Sequence, residues 1–371
     1  MDKRASIKSV VIKNKKKSKH RVKLMGNTNI KCPVCGSTNC IQPAKQVLSS
    51  IYNTYMACSA CPPEPNIPKL EPIMCLNMSC EACKVCHKRP LDVIMGNVLT
   101  MLVESGDRDH SATLKSVGTP LVTIGYPLAY APRLGKDMLI IVMDDVKEET
   151  ALRIVDEVSE VKGIIRRTAA QDVSVGIMDT DRKPVEYELL AGCDMRCDVV
   201  SSLLGELCIY KNQSVIHIEF PRPDSPKMKI IEGAYFDGLL AGHVVADVFC
   251  GAGTLGLMAI LAGAKKVILN DAWKPAIVDA ILNLRVNADI LGIDVEQLVD
   301  TETLPMVADK AIPVLVARGS GACEIEVYHG DAMLLAESIE CDTCLMDTFP
   351  GVSTEKFVGA WKKVSKNIVT I

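Results

Sequence analysis

The sequence predicts an α/β protein: a parallel-sheet domain at its C-terminal end, preceded by an α+β segment and a cysteine-rich metal-binding module. Three observations carry this. The stretch His243–Asp271 runs from a valine-rich apolar segment through Gly251, Gly253 and Gly256 into an alanine- and leucine-rich helix, then into a second apolar run that ends in acid. That is the pattern of a strand, a glycine turn, a helix and a strand. Apolar runs at 324–329, 344–350 and 367–371 repeat the strand signal around further helical spacing, as a parallel sheet with crossover helices requires. Nine of the sixteen cysteines fall between Cys32 and Cys86, a ligand pattern rather than core usage.

Length and composition bound the rest. A chain of 371 residues holds two or three domains. No apolar run approaches the roughly 20 residues that span a bilayer. The N-terminus is basic without a following apolar segment, so the expectation is a cytoplasmic protein with no membrane partner. Sixteen cysteines without a secretion signal argue for metal ligation in a reducing compartment rather than a disulfide framework. The formal charge of −3 conceals an asymmetry: Met1–Asn27 carries ten Lys and Arg against one Asp, a net +9, which leaves −12 on the remainder. Residues 1–27 are expected to be a basic flexible arm. Its densest part, Lys13–Lys23, lacks an aromatic residue for stacking on bases and suits either phosphate attraction or a solvated tail.

Residues 28–90 form the expected metal module. Cys32-Pro-Val-Cys35-Gly36 and Cys58-Ser-Ala-Cys61 resemble the two knuckles of a zinc ribbon, since thiolates two residues apart can grip one tetrahedral ion. Cys75, Cys80, Cys83 and Cys86, with Pro90 beyond, contain a C-x2-C-x2-C core similar to the run that wraps a [4Fe–4S] cluster in bacterial ferredoxins. Zinc and iron–sulfur both remain open here, with Cys40 and His87 as spare ligands. The simplest role for the metal is to fold a segment poor in large apolar residues. Residues 91–232 read as an α+β domain: a helix over 91–103, a strand over 138–144, a helix over 148–158 and a strand over 162–167.

The glycine turn sets the chemistry of residues 233–371. Glycines after a parallel strand let the backbone approach a ligand, and a carboxylate at the tip of the next strand can accept hydrogen bonds from a ribose. Gly251, Gly253 and Gly256 satisfy a dinucleotide fingerprint on paper. The fuller string from Asp247 to Gly256, D-V-F-C-G-A-G-T-L-G, resembles motif I of the class I S-adenosylmethionine (SAM) methyltransferases, which have a Rossmann-like fold. The resemblance implies SAM as cofactor, with Asp247 beneath its methionine part and Phe249 and the three glycines in the same turn. It also implies Asp271 on the ribose hydroxyls and Asp331, after the strand 324–329, at the adenine edge.

The order of the preceding segments extends the resemblance. Glu188-Leu-Leu-Ala-Gly192, a strand-like Leu207–Tyr210 and Val215–Arg222 lead to the glycine turn. This looks like the approach to the SAM domain in the archaeal and eukaryotic tRNA (guanine-N1) methyltransferases and their wybutosine-synthesising relatives. An RNA substrate, most simply tRNA methylated on a base nitrogen, is what that implies. Pro226 occupies about the place of the family's catalytic glutamate, with Asp224 as a possible substitute. In motif IV, Asp347-Thr-Phe349-Pro350 keeps an acid, an aromatic and a proline. Asp347 is expected to orient the acceptor nitrogen, Phe349 and Pro350 to support a stacked base unless the ring is simply core, and Arg222 to stabilise developing negative charge or to bind phosphate. Cys250 reads as a small core residue.

Residues 353–366 read as an amphipathic helix and 367–371 as the fifth strand. A full class I sheet has seven strands, so the last two are expected to be missing and the open edge to be covered by the middle domain, a partner chain or a second copy. Two other functions stay open: methylation of a protein side chain or small metabolite, suited to the acidic body, and a non-catalytic metal-binding assembly protein that retains the fold.

Overall fold

The computed structural model describes residues 30–73, 80–168, 173–178, 183–319, 323–349 and 352–371. The basic arm, Cys75 and Pro350 lie outside the described residues.

The chain opens on a cysteine turn at 32–36 and helix α1 (Ala44–Thr54), whose Ala44, Val47 and Ile51 are buried. A second knuckle at 58–61 and a third at 83–86 precede β1 (Arg89–Pro90) and α2 (Leu91–Glu104). There follow β2 (Thr119–Val122), β3 (Ile124–Gly125), β4 (Arg133–Leu134), β5 (Leu139–Met143), α3 (Glu148–Glu157), β6 (Val161–Arg166), β7 (Glu188–Gly192), β8 (Met195–Ser202) and β9 (Gly205–Asn212). β2, β5, β6 and β7 form one four-stranded sheet in that order, and β3, β8 and β9 form a separate three-stranded one. Every residue of β5 is buried because it is covered on both faces: Leu139, Ile141 and Met143 pack with α2 and α3, and Ile140 and Val142 pack on the other side. Val215–Arg222 has no regular secondary structure.

The C-terminal part comprises α4 (Pro226–Phe236), β10 (Val244–Asp247), α5 (Thr254–Leu261), β11 (Lys266–Asp271), α6 (Lys274–Val286), α7 (Ala288–Leu291), β12 (Ile293–Gln297), β13 (Ile312–Gly319), β14 (Glu324–His329), α8 (Ala332–Ala336), β15 (Cys341–Met346), α9 (Glu355–Trp361) and β16 (Ser365–Thr370). Its sheet has the order β12-β13-β14-β11-β10-β15-β16. From β14 to β16 all neighbours run parallel. Val245 and Ala246 on successive positions of β10 enter different cores, so the sheet is covered on both faces: α4, α5 and α6 on one, α8 and α9 on the other.

Among the described residues the parallel run ends at β16, its fifth strand, and no further pair of strands follows at that edge, as expected. The sheet nevertheless totals seven strands, because the segment after α7 folds into the antiparallel hairpin β12–β13 on the other, β14, edge. Alternating apolar residues at Ile293 and Val295 give that hairpin one face for the core. β16 is the outer strand at the opposite end, and among the described residues the middle domain does not pair with it. The final helix is also shorter than expected, ending at Trp361 before β16 begins at Ser365. No helix among the described residues is long and apolar enough to cross a membrane.

The candidate metal ligands are regrouped as well. Cys32 and Cys35 do not meet Cys58 and Cys61; they gather with Cys40 and Cys193, while Cys58 and Cys61 gather with Cys83 and Cys86. The reason is α1, eleven residues and so roughly 16 Å long, which fills the interval between the first two knuckles and carries them apart. Cys80 is in neither group: its sulfur contacts the Glu81 carbonyl and it packs against the α2 core. His87 is in neither group among the described residues; it is the left-handed residue (φ 56°) that closes its knuckle, as Gly36 (φ 70°) closes the first.

One contact decides how the hairpin β8–β9 sits on the sheet domain. Asp279 and Asn283 of α6 and Asn287, the residue that caps it, follow one another at four-residue spacing along one face. Asn287 accepts from Cys208 N at 3.0 Å and donates to Cys208 O at 2.7 Å. Asn283 makes the same pair of bonds with Tyr210, at 2.7 and 2.8 Å, and Asp279 accepts from Asn212 N at 3.1 Å. Four helical residues advance ~6 Å and two strand residues ~6.6 Å, so the helix side chains keep step with the unpaired edge of β9. Buried backbone groups that no neighbouring strand reaches are thereby satisfied.

Candidate active site at the strand ends

From β10 the chain proceeds to β11 and β14 on one side and returns to β15 and β16 on the other, so a crevice opens at the carboxyl ends of β10 and β15, where the order reverses. A cavity of about 650 Å³ occupies it. One wall is the glycine turn and the start of α5, with Phe249, Cys250, Gly251, Ala252 and Thr254; Asp271 and Trp273 follow β11, and Asp347, Thr348 and Phe349 follow β15. The opposite wall is Asp198 and Lys211 of the hairpin and the segment from Val215 to Lys227.

The turn is held by two carboxylates. Asp247, 0% exposed, accepts from Gly256 N at 2.9 Å, and its other oxygen has no partner among the described residues. Asp271 accepts from Gly251 N at 2.9 Å and from Trp273 N at 2.8 Å. Gly253 starts α5 at φ 91°, and at Gly256 a Cβ would run into the Leu269 side chain, so the helix can approach β11 only with glycine there. Asn283 of α6 ties in the turn through the Ala252 carbonyl at 2.9 Å.

The opposite wall is a row of alternating charges. Asp347 meets Lys227 Nζ at 2.7 Å, and the same ammonium meets Glu219 at 2.8 Å. Glu219 meets Lys211 at 3.1 Å, Lys211 meets Asp198 at 3.0 Å, and Asp198 meets Arg196 at 2.8 Å. Arg196 also donates to the carbonyls of Val122 and Glu219, both at 3.0 Å. Burying each charge alone would be costly; alternation gives every interior member two opposite neighbours. Burial opposes ionisation of Glu219, but Lys211 and Lys227 hold it well below the ordinary carboxylate range. Burial likewise opposes the Lys227 charge, and Glu219 and Asp347 raise its affinity for the proton on balance. Asp347, at the cavity end of the row, is raised by burial against the pull of Lys227.

No family model and no curated protein matches the chain. Among solved structures it is similar to P. horikoshii TYW2 in complex with MeSAdo, at 17% identity over 74% of this chain and 76% of that one, with a TM-score of 0.37. It is similar to the M. jannaschii tRNA m1G37 methyltransferase, at 14% identity over 74% of this chain and 61% of that one, TM-score 0.34. A third is aTrm5 in complex with tRNALeu, at 15% identity over 75% of this chain, TM-score 0.38. The chain spans 61% and 62% of the lengths of the latter two. The chemistry of the site is therefore read from its own side chains.

Of the residues singled out in the sequence, Phe249, Gly251, Asp271, Arg222, Asp347 and Phe349 come together around the cavity. Gly253, Gly256 and Asp247 are behind it and shape the turn. Asp331 is off the lining and caps α8, accepting from Met333 N and Leu334 N at 2.7 and 3.1 Å. It stays close to the site, because Gly330 N donates to the Asp271 carbonyl at 3.0 Å. Cys250 is buried, and burial pushes its thiol well up. Pro226 is the first residue of α4, where a missing N–H costs nothing. Asp224 is exposed and outside the lining. Sequence reading missed Lys211, Glu219 and Lys227. The available signal was charge inside apolar strand patterns, at Arg196, Asp198 and Lys211.

Asp247 yields a pH prediction. Burial, together with Asp347 and Asp271, pushes it up to about 8 despite the Gly256 N–H. An unfolded aspartate titrates near ~3.9, so between those values the folded state holds the extra proton and loses stability as pH rises. Wild type should therefore lose stability relative to Asp247→Asn between pH 5 and 8, by a few kcal/mol at about 1.4 per unit. Urea unfolding of both proteins across that range measures it; parallel curves would show that Asp247 ionises normally.

Proposed function

We propose that the chain is a SAM-dependent methyltransferase acting on a base nitrogen of RNA, most simply tRNA. The observation that carries this is one cavity at the order-reversal point that brings glycine-turn backbone, the Asp271 carboxylate and Asp347 beside Phe349 to a common space. Its volume is within the ~300–1,000 Å³ of small-molecule sites.

The residues present fit SAM. Each Asp271 oxygen accepts one backbone N–H and keeps capacity for a ribose hydroxyl. Trp273 Nε1, beside the cavity, is a buried donor with no partner among the described residues. When bound, SAM supplies a sulfonium methyl that an in-line lone pair can take. The chain's own part is positioning and proton management. Asp347 accepts a hydrogen bond, or the proton itself, from an acceptor nitrogen that must give one up. Lys227 favours the ionised form of Asp347, and Glu219 holds Lys227 in place.

Aromatic and basic groups favour a planar, phosphate-bearing acceptor. Phe220, 54% exposed, and Phe349 both line the cavity, with Arg222 exposed beside them. The +9 arm adds sequence-independent attraction to phosphates. The same reading takes each four-cysteine group as a zinc site. Sulfur atoms around one ion at ~2.3 Å lie about 3.8 Å apart, close to the 3.5–3.7 Å between neighbouring sulfurs here, whereas a cubane holds its cysteines further apart. Unpaired thiols as ligands suit a reducing compartment such as the cytoplasm.

Incubation with methyl-labelled SAM and separate tRNA, other RNA and protein fractions tests the proposal. Label should enter tRNA and be released by nuclease as a methylated base. Label confined to protein would transfer the activity to a side chain, and SAM binding without transfer to any fraction would leave a non-catalytic protein.

A further inference from the structure

The first cysteine group is assembled from two distant parts of the chain. Cys32, Cys35 and Cys40 come from the N-terminal module; Cys193 comes from the turn between β7 and β8, 161 residues from Cys32. Cys193 Sγ lies 3.7 Å from Cys32 Sγ and 3.6 Å from Cys40 Sγ, and the four sulfurs are all within 4.8 Å of one another. The second group is local to the module by comparison. Both groups use the same turn: in the first, Gly36 N donates to Cys32 O at 2.9 Å, and in the second, His87 N donates to Cys83 O at 2.8 Å. Lys162 sits beside the first group and donates to the Met195 carbonyl at 2.6 Å.

From Cys193 the path to the cavity is short and rigid. The next residue, Asp194, is buried and accepts from Ser214 N at 2.7 Å. β8 then carries Asp198 and β9 carries Lys211, both in the charged wall of the cavity. The outer edge of β9 is held by α6, and α6 holds the glycine turn. Cys32, Ile41 and Val47 share one apolar core with Met195, Tyr210 and Leu282, so module, hairpin and α6 pack together around the group.

We propose that a zinc ion bound by Cys32, Cys35, Cys40 and Cys193 clamps the N-terminal module to the β8–β9 hairpin and so keeps the charged wall of the cavity in register. This rests on reading the groups as zinc sites but not on SAM or RNA. The ion crosslinks residues far apart in sequence, which confers more order than a local staple, since the loop it closes is long. The ion at Cys58, Cys61, Cys83 and Cys86 folds the module alone.

Metal analysis combined with hydrogen exchange on the full chain tests it. Wild type should carry two zinc ions and no iron. Cys193→Ser should carry one, with amides of β8 and β9 exchanging at least tenfold faster and those at 83–88 unchanged. Cys35→Ser, an exposed ligand outside the hairpin, should lose the same ion and show the same hairpin effect. Iron with a broad visible absorbance, or two zinc ions retained in Cys193→Ser, would overturn the zinc assignment. One zinc lost with hairpin exchange unchanged in both variants would keep the site and overturn the clamp. Faster exchange in Cys193→Ser alone would trace the effect to the substitution and overturn it too.

Discussion

Asp271→Ala is expected to weaken SAM binding by at least 100-fold in calorimetry. The side chain does two things at once: it fixes Gly251 and Trp273 through their N–H groups, and it presents a carboxylate to the cavity. Hydrogen bonds to a charged group contribute about 1.5–3 kcal/mol each. Losing two toward the ribose, at about 1.4 kcal/mol per tenfold, gives on the order of 10²–10⁴ in affinity. Burial raises Asp271 to about 6 against the Trp273 and Gly251 N–H groups, so SAM affinity should also fall as pH drops through that value. Asp271→Asn, which keeps one acceptor for the turn, should fall between wild type and alanine. Thermal unfolding separates a lost ligand contact from a lost fold. Affinity within threefold of wild type in a folded Asp271→Ala protein would remove the basis for placing SAM in this cavity.

Asp347→Ala is expected to lower kcat for methyl transfer on the order of 10²–10⁴-fold, the usual range for a positioned acid–base group, with KM for SAM nearly unchanged. Lys227→Met should act differently. Without its cation Asp347 is harder to ionise, because burial already raises it and Lys227 is the leading opposing influence. The acidic limb of the rate profile should then move to higher pH, with the maximal rate recovered in part on the alkaline side. A pH profile that falls uniformly in Lys227→Met would mean that the lysine only holds the wall together. Asp347→Ala with unchanged kcat would place proton removal elsewhere.

The row that links Asp347 to Arg196 explains why two such different regions of sequence make one site. Asp347 is at the end of a sheet strand, Lys227 in the first turn of α4, Glu219 in an irregular segment, and Asp198 and Lys211 on the hairpin. Arg196 and Asp198 pair along one strand, and every other link in the row joins charges from different elements.

The glycine turn, its flanking strands and the acid at the tip of β11 were legible in the sequence because their causes are local. Periodicity makes a strand or a helix, a left-handed position calls for glycine, and a pair of cysteines two apart makes a knuckle wherever it sits. The grouping of the knuckles was not, since it depends on α1 separating the first two and on Cys193 arriving from 161 residues away. Nor was the seven-strand count, because β12 and β13 declare themselves only by pairing with each other and with β14. Nothing local in the sequence marks the partners of Asp279, Asn283 and Asn287; only the neighbouring edge of β9 supplies them. Local sequence thus determined the elements and the chemistry at their ends. Tertiary structure decided which cysteines gather and which charges face the cavity, because those depend on distances between segments that no local pattern encodes.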